Sequence, residues 1–275
     1  MKSYLKTKDH SVSGEQFELL YDADLDMLIT HPQPEDLEKY YESPAYISHT
    51  DSSTSVVDRI YQTVKKYSLS KKVRLISRYA NEKKTLLDFG AGTGDFLMAA
   101  KNDNWKVFGV EPNLGARQKA TEKGIDLLEN ISEIENGKFQ VITLWHVLEH
   151  LPNLETQIKM LVDKLEQEGT LIIAVPNYKS HDAQHYKNFW AAYDVPRHLW
   201  HFSKTAIEKL FEPHGMVLVE NRPMIFDSFY VSLLSEKYKT GKQNYITAFF
   251  WGLRSNMKAW GTKDYSSLIY ILQKA

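Results

Sequence analysis

Residues 88–96 read Asp-Phe-Gly-Ala-Gly-Thr-Gly-Asp-Phe, and they lie between an apolar strand at 85–87 and the apolar start of a helix at 97–100. A glycine loop at such a junction lets the backbone approach a bound ligand without a Cβ atom in the way. It also points the free N–H groups of the helix start at that ligand. The stretch therefore predicts a strand–loop–helix turn that binds a nucleotide-type cofactor.

The spacing of the glycines separates two classes of cofactor. Dinucleotide-binding loops prefer G-x-G-x-x-G, in which the third glycine allows close packing of helix and strand around a pyrophosphate. Here the third glycine, Gly94, comes one residue early, and Asp95 would face a pyrophosphate with like charge. The loop favours a ligand without phosphate, so a nicotinamide oxidoreductase is a disfavoured alternative.

A second anchor follows the loop. Residues 107–113 predict another strand, which ends at Glu111. An acid about 20 residues past such a loop can accept hydrogen bonds from ribose hydroxyls. The competing interpretation is that Glu111 is simply a solvated acid at the end of a strand.

Residues 86–94 resemble the first motif of class I S-adenosylmethionine-dependent methyltransferases. The resemblance implies an α/β fold with a doubly wound, mainly parallel, seven-stranded Rossmann-like sheet whose last strand is antiparallel. It implies S-adenosylmethionine as cofactor and S-adenosylhomocysteine as product. Ligands in open α/β sheets bind beyond the carboxyl ends of the strands. With that rule, the expected cofactor-binding residues are Asp88, Gly90, Ala91, Gly92, Thr93, Gly94, Glu111, Pro112, Asn130, Ile131, Trp145 and His146.

Two further segments carry the resemblance. Residues 144–152, Leu-Trp-His-Val-Leu-Glu-His-Leu-Pro, are similar to the V-L-E-H run of ubiquinone-pathway O-methyltransferases. A histidine is well matched to removing a proton from a methyl acceptor near neutral pH. We expect His150 first, and His198 second, to do this work. The alternative for His150, a histidine that only holds the shape of its loop, stays open.

The second of these segments, residues 189–203, contains an Asp-x-Pro-x-His and a His-Phe-Ser sequence, which also occur in the family. Long loops in compact domains are usually functional or disordered, and this one is too apolar for disorder. It predicts the wall of an acceptor pocket formed by Glu149, Tyr193, Arg197 and His201. In a purely structural alternative, Ser203 caps a helix, His201 braces it and Arg197 pairs with Asp194.

Composition limits the other possibilities. The 275 residues carry a net charge of -1 and no cysteine, which excludes disulfides, thiolate catalysis and cysteine zinc sites. No basic field is present to hold a phosphate backbone, so nucleic acid is not an expected partner. No metal site is expected, because His181 and His185 lie in a predicted loop. A signal peptide and a membrane-spanning stretch are both missing from the sequence, so we expect a cytoplasmic protein without stable membrane insertion.

The chain divides into four predicted parts. They are an N-terminal hairpin remnant with lid and helices at 1–84, a cofactor-binding core at 85–222, a helical insert at 223–264, and the final core strand at 265–275. The N-terminal part resembles a zinc-ribbon extension that has lost its cysteines, and Tyr40, Tyr41 and residues 46–49 are lid candidates. We expect Asp51 or Ser53 to start a helix that breaks at 68–70. The insert could shape the acceptor site, close a homodimer, touch lipid, or simply pack its own core.

Another helix is predicted at 154–168, with Gly169 as its end. Strands are predicted at 85–89, 106–110, 126–128, 139–145 and 170–175. The function predicted from all these features is transfer of a methyl group to oxygen or carbon of a small-molecule acceptor by in-line displacement. The alternative is a module that binds S-adenosylmethionine or S-adenosylhomocysteine without catalysis. The acceptor itself is not named by the sequence.

Overall fold

The computed structural model describes residues 1–41, 56–134 and 137–275. Within these ranges the N-terminal part forms a sheet of four strands: β1 (Lys2–Lys8), β2 (Gln16–Asp22), β3 (Met27–His31) and β8 (Trp200–His201). Neighbouring strands are antiparallel, in the order β1-β2-β3-β8. The predicted hairpin is therefore present, and β8 joins it to the segment that was expected to line the acceptor pocket.

The central sheet contains six strands in the described part of the chain. They are β4 (Thr85–Phe89), β5 (Lys106–Val110), β6 (Phe139–Trp145), β7 (Leu165–Pro176), β9 (Met216–Pro223) and β10 (Ser267–Lys274). Their order is β5-β4-β6-β7-β10-β9. Strands β4 to β7 run parallel, and β10 is antiparallel to both of its neighbours. The predicted α/β class with an antiparallel last strand is confirmed.

The expected seventh strand is reduced to one bridge. At 126–128 only Leu128 pairs, with Val110 of β5. Two residues later Asn130 starts a 3-10 turn at Ile131–Glu133 through a capping box. Because the chain turns so soon after Leu128, no ladder develops there.

The α-helices of the described ranges follow in chain order. They are α1 (Val56–Ser77), α2 (Asp95–Asn102), α3 (Leu114–Glu122), α4 (Leu154–Asp163), α5 (His181–Tyr186), α6 (Lys204–Phe211), α7 (Asp227–Thr240) and α8 (Tyr245–Thr262).

Three predictions about these helices were wrong. Helix α1 runs without a break through 68–70, because two serines without a glycine or proline cost a helix little. Helix α4 ends at Asp163 and not at Gly169, since buried Leu165 pairs with Phe139 and starts β7. Residues 181–186 form a helix, with Ser180 as its cap, where a loop was expected.

Two predictions fall partly outside the described residues. The lid candidates at 46–49 and the helix caps Asp51 and Ser53 lie in the range that is not described. Of the lid candidates, Tyr40 and Tyr41 are described, and Tyr40 ends a 3-10 turn at Glu38–Tyr40.

The central sheet is buried on both faces. Leu87, Ile142 and Ile173 belong to the apolar cluster that includes residues of α4 and α6. Leu86, Val141 and Ile172 belong to the cluster on the α1 and α2 side. Neighbouring strand residues point to opposite faces, so the strands appear in the sequence as continuous apolar runs.

The two helices of the insert pack closely against each other. A Cβ atom on Gly252 of α8 would lie 2.9 Å from Cα of Phe229 in α7, so only glycine permits this approach. Helix α7 also contacts α5. In the described part of the chain, no helix combines the length and the apolar character needed to cross a bilayer.

Candidate active site

The glycine loop adopts a backbone that requires glycine. Gly90, Gly92 and Gly94 have φ angles of 77°, 53° and 74°, in the left-handed region. The N–H groups of Gly90 and Ala91 donate to the carbonyl of Val110, which fixes the loop to the end of β5. A Cβ atom on Gly90 would lie 2.4 Å from Val147, whereas no described atom lies within 4 Å of one on Gly92. The loop therefore touches the 146–150 segment on one side and is open at Gly92.

Glu111 lies directly against this loop. Its carboxylate accepts hydrogen bonds from the N–H of Gly92 at 2.8 Å and from the N–H of Asn113 at 2.9 Å. Arg117 donates to the carbonyls of Glu111 and Pro112, which fixes the turn after β5. The acid is thus part of the loop architecture and is positioned by the main chain on both sides.

The segment expected beside the adenine is next to Glu111. Glu111 N–H donates to the carbonyl of Leu128, and Leu128 N–H donates to Gly109. Asn130 follows as the cap of the 3-10 turn, and Ile131 is half-buried. The structure therefore brings the loop, Glu111 and the 130–131 turn together at one edge of the sheet.

The charge of Asp95 is paired, which its position in the sequence did not indicate. Its carboxylate lies 2.8 Å from the ammonium of Lys65 and 2.6 Å from that of Lys123. Burial alone would raise the pKa of Asp95, but these two lysines hold it below its usual value. Because the two lysines balance its charge, Asp95 would not repel a pyrophosphate, and it is the early third glycine that disfavours a dinucleotide.

Asp88 is a buried carboxylate at the end of β4. Thr143 Oγ1 donates to it at 2.6 Å. Burial raises the pKa of Asp88, while the Thr143 hydrogen bond and the charge of Lys72 oppose that rise. Burial in turn lowers the pKa of the Lys72 ammonium, against the charges of Asp88 and Asp227. The site therefore contains an acid and a base whose charged forms depend on each other.

Lys72 reaches this site from α1. Its ammonium lies 4.2 Å from the centroid of the Trp145 ring, a cation–π distance. Trp145 packs edge-on against Phe96, with ring centroids 5.5 Å apart. An aromatic face directed at a cation is therefore present between the glycine loop and the end of β6.

His146 connects the core to the insert. Its Nδ1 lies 3.3 Å from Glu149, and its Nε2 lies 3.1 Å from Asp227 at the start of α7. Burial would lower the pKa of His146, but the two carboxylates raise it to about 10. At neutral pH the ring is an imidazolium between two acids, which suits it to holding the site together.

His150 and His198 form an edge-to-face pair with ring centroids 4.5 Å apart. Nδ1 of His150 lies 3.0 Å from the carbonyl of Arg197 and 3.0 Å from the hydroxyl of Tyr41. Nδ1 of His198 lies 2.9 Å from the carbonyl of Ala192. Since a carbonyl can only accept, both Nδ1 atoms carry protons, and Nε2 of neutral His150 offers a lone pair.

The electrostatics of this pair include Glu149. Burial and the neighbouring His198 lower the pKa of His150 to about 4, while Glu149 opposes them. Glu149 is itself buried, and its Oε2 has no hydrogen-bond partner among the described residues. One nitrogen of each histidine and one oxygen of Glu149 lie within 4.8 Å of one another, a spacing at which the three groups could surround a cation.

Arg197, His201 and Tyr193, which were also expected to line the acceptor pocket, are buried in the protein interior. Arg197 is fully buried and donates to Asp194 and Asp9, and to the carbonyl of Tyr40. Its charge is therefore used to hold the wall to the N-terminal sheet, and the expectation that Arg197 faces an acceptor is corrected.

His201 and Tyr193 both contact other buried residues of the protein. His201 Nε2 lies 3.0 Å from the hydroxyl of Thr30, and burial keeps the pKa of His201 well below its usual value. The buried ring of Tyr193 packs edge-on against it. Ser203 caps α6, in agreement with the structural alternative. His201 and Tyr193 thus brace the wall from behind.

A family comparison agrees with this geometry. The model of a family described as "Methyltransferase domain" matches residues 59–221, more than half of the chain. The chain belongs to this methyltransferase family. It is an S-adenosylmethionine-dependent methyltransferase, as the glycine loop indicates. None of the curated proteins matches it by sequence.

Solved structures of other methyltransferases share the fold. Magnesium protoporphyrin IX methyltransferase from Synechocystis PCC 6803 with bound SAM has a TM-score of 0.54 and 12% identity, covering 86% of this chain and 94% of that one. A possible histamine N-methyltransferase from Thermotoga maritima has a TM-score of 0.51 and 17% identity, with 78% and 97% covered. A cyclopropane synthase from Mycobacterium tuberculosis has a TM-score of 0.52 and 13% identity, with 74% and 83% covered. At such identities the likeness concerns the fold alone.

Three residues of this methyltransferase site escaped the sequence analysis: Lys72, Asp227 and Thr143. Lys72 and Asp227 come from elements outside the recognised motifs, and nothing in their local sequence marks them. Thr143 carried a readable signal, since it is a polar residue between the apolar residues Ile142 and Leu144 of β6. A hydroxyl buried in a strand beside Asp88 needs a hydrogen-bond partner.

Proposed function

We propose that this methyltransferase transfers a methyl group from S-adenosylmethionine to oxygen or carbon of a small-molecule acceptor. The observation that supports the proposal is the position of the His150–His198 pair. The pair follows Val147, whose side chain packs against Gly90 of the cofactor loop. A proton acceptor and a methyl donor would therefore meet at one end of the sheet.

The cofactor would lie along the carboxyl ends of β4, β5 and β6. The loop 90–94 would hold the methionine part, with Asp88 beneath it. Glu111 would exchange its hydrogen bond with Gly92 for bonds from the ribose hydroxyls. Asn130 and Ile131 would flank the adenine, and Trp145 and His146 would flank the cofactor at the end of β6.

The reaction would be an in-line displacement. The acceptor atom bonds to the methyl carbon, the carbon–sulfur bond breaks, and a neutral thioether leaves. Correct alignment of the three atoms can lower the barrier by ~7–11 kcal/mol. The residues of this chain would act mainly by positioning.

The acceptor must also lose a proton. His150 would accept it at Nε2, because its Nδ1 is committed to the Arg197 carbonyl and Tyr41. The charge of Glu149 opposes the lowered pKa of His150, so it would stabilise the imidazolium that forms. His198, in contact with His150, is the second candidate for this role.

The resemblance to ubiquinone-pathway O-methyltransferases supports an oxygen acceptor more than a carbon acceptor. The V-L-E-H run supplies Glu149 and His150, two of the three groups in the cluster.

A turnover assay tests the proposal. The purified protein is incubated with S-adenosylmethionine and pools of phenolic, hydroxylated and carbanion-forming small molecules, and S-adenosylhomocysteine is measured by mass spectrometry. The account predicts acceptor-dependent product. His150→Gln should lower kcat by roughly 10²–10⁴-fold with unchanged cofactor affinity, while His214→Gln, far along the chain in a turn, should have no effect. Tight cofactor binding without turnover in any pool would favour a binding module.

A further inference from the structure

Most large apolar side chains of helix α8 face solvent, with half-buried Trp251 as the exception, whereas a helix that only packs on a core buries them. The buried seam of α8 consists of small residues: Ala248, Gly252, Ser255 and Ala259. Its solvent-facing side carries six large ones: Ile246, Phe249, Phe250, Leu253, Met257 and Trp260. Ile246 is 85% exposed and Trp260 is 68% exposed. A surface helix normally shows the opposite distribution.

The six exposed side chains form one continuous stripe. At 3.6 residues per turn their positions fall within an arc of about 100°. The arc lies opposite the seam of small residues. Soluble proteins rarely expose a contiguous apolar surface of this kind unless it binds something.

The charge around this stripe is one-sided. Residues 237–263 contain Lys237, Lys239, Lys242, Arg254, Lys258 and Lys263, and no aspartate or glutamate. The whole chain, by contrast, has 34 basic and 35 acidic residues. On α8 itself, exposed Arg254 and Lys258 follow the edge of the apolar arc. Apolar and basic surface are therefore adjacent on one helix.

We propose that α8 docks this methyltransferase onto the surface of an anionic lipid bilayer. The apolar stripe, which we call the α8 stripe, would enter the boundary between headgroups and acyl chains. Arg254 and Lys258 would meet the lipid phosphates. Helices with a bulky apolar face and basic flanks bind bilayers in this way without crossing them. Aromatic residues such as Trp260 favour this interfacial depth.

A second copy of the chain fits the same surface less well. In a twofold-symmetric dimer, identical patches face each other, so the basic flanks of one copy would meet those of the other. Like charges that face each other across an interface reduce affinity. The segment 237–263 contains no acidic residue that could balance them. An anionic surface gives these charges a partner.

The docking surface connects to the active site through one helix. Gly252 of α8 packs on Phe229 of α7, and Asp227 at the start of α7 contacts His146. The proposal goes beyond the proposed function, because lipid binding by α8 can be measured without any methyl acceptor.

Vesicle sedimentation tests it. The full chain is mixed with vesicles of phosphatidylcholine containing phosphatidylglycerol, and with vesicles of phosphatidylcholine alone. We expect binding to the anionic vesicles, weaker binding to the neutral ones, and weakening as salt is raised. Arg254→Gln with Lys258→Gln should reduce the affinity by roughly 30-fold, since each basic residue near an anionic surface contributes about fivefold. Phe249→Ser with Phe250→Ser should reduce it by about 100-fold or more.

Matched variants separate docking from unspecific effects. Lys2→Gln with Lys6→Gln removes two exposed charges from β1, and Val217→Ser with Val219→Ser removes two exposed apolar groups from β9. Both should bind vesicles like the unaltered chain, and thermal unfolding should show all variants folded. The proposal is overturned if the unaltered chain stays in the supernatant, or if these controls lose as much binding. It is also overturned if light scattering shows a dimer that Phe249→Ser with Phe250→Ser dissolves, with no vesicle binding.

Discussion

Nε2 of His146 lies 3.1 Å from the carboxylate of Asp227, so the insert contributes an ion pair to the candidate site. With Glu149 on its other nitrogen, His146 has its pKa raised to about 10. This contact gives a pH-dependent prediction.

Asp227→Asn should reduce the dependence of stability on alkaline pH. A histidine whose folded pKa lies above its unfolded value of about 6.5 stabilises the fold fully below pH ~6.5 and loses that contribution as pH rises towards 10. The unaltered protein should therefore lose melting temperature between about pH 6.5 and 10, and Asp227→Asn should lose less. Thermal unfolding across this range is the measurement. Parallel curves for the two proteins would show that the contact does not stabilise the fold.

Two substitutions in the glycine loop should distinguish a position that packs against the protein from a position that is open to a ligand. In Gly90→Ala the new methyl meets Val147 at 2.4 Å, and a left-handed residue costs about 1–2 kcal/mol in addition. In Gly92→Ala no described atom lies within 4 Å, so only the backbone cost applies. We expect Gly90→Ala to lower the free energy of unfolding more.

The affinity for the cofactor should respond to these two glycine substitutions differently from the stability. If S-adenosylmethionine lies against Gly92, Gly92→Ala should weaken its binding far more than its small effect on stability would suggest. Urea unfolding and calorimetric titration with S-adenosylhomocysteine provide the two numbers. A Gly92→Ala protein with unchanged affinity would show that the ligand lies elsewhere.

Arg197 should prove structural. Its guanidinium lies 3.0 Å from Asp9 and 2.6 Å from Asp194, and it holds the pKa of Asp9 well below its usual value. Removing one partner of a buried ion pair typically costs about 3–5 kcal/mol. Arg197→Ala should lower the free energy of unfolding by about that amount. Loss of turnover with an unchanged unfolding curve would return Arg197 to the acceptor pocket.

Much of the fold could be predicted from local sequence. Strands β4, β5 and β6 lie at their predicted residues, because each is an apolar run bounded by turn residues. The end of α4 could not be predicted, since Leu165 continues a helical pattern and its pairing with Phe139 is a tertiary contact. Strand β1 was missed because its side chains are mostly polar and exposed, as on the edge of a sheet.

The candidate site also has a part that could be predicted from local sequence and a part that could not. The glycine loop, Glu111 and the 145–150 segment could be proposed from the sequence because each follows a predicted strand and the motifs resemble those of a known family. Tyr41, Lys72 and Asp227 were not recognised as partners, because they reach the site from distant elements. Tyr41 lies 109 residues from His150, for example, and only folding brings its hydroxyl to the imidazole. For Arg197 the structure agrees with the alternative in which it pairs with Asp194, whereas its second partner, Asp9, and its burial could not be predicted because they depend on tertiary contacts.

Calorimetric titration of S-adenosylhomocysteine into the unaltered protein and into Glu111→Ala tests the central claim most directly. The account predicts one site per chain in the unaltered protein, and an affinity lower by at least about tenfold in the variant, because a carboxylate hydrogen-bonded to ribose contributes about 1.5–3 kcal/mol. Lys119→Ala, an exposed change on the neighbouring helix α3, serves as the control and should bind normally. No measurable heat with the unaltered protein, or equal affinities for it and for Glu111→Ala, would contradict the account.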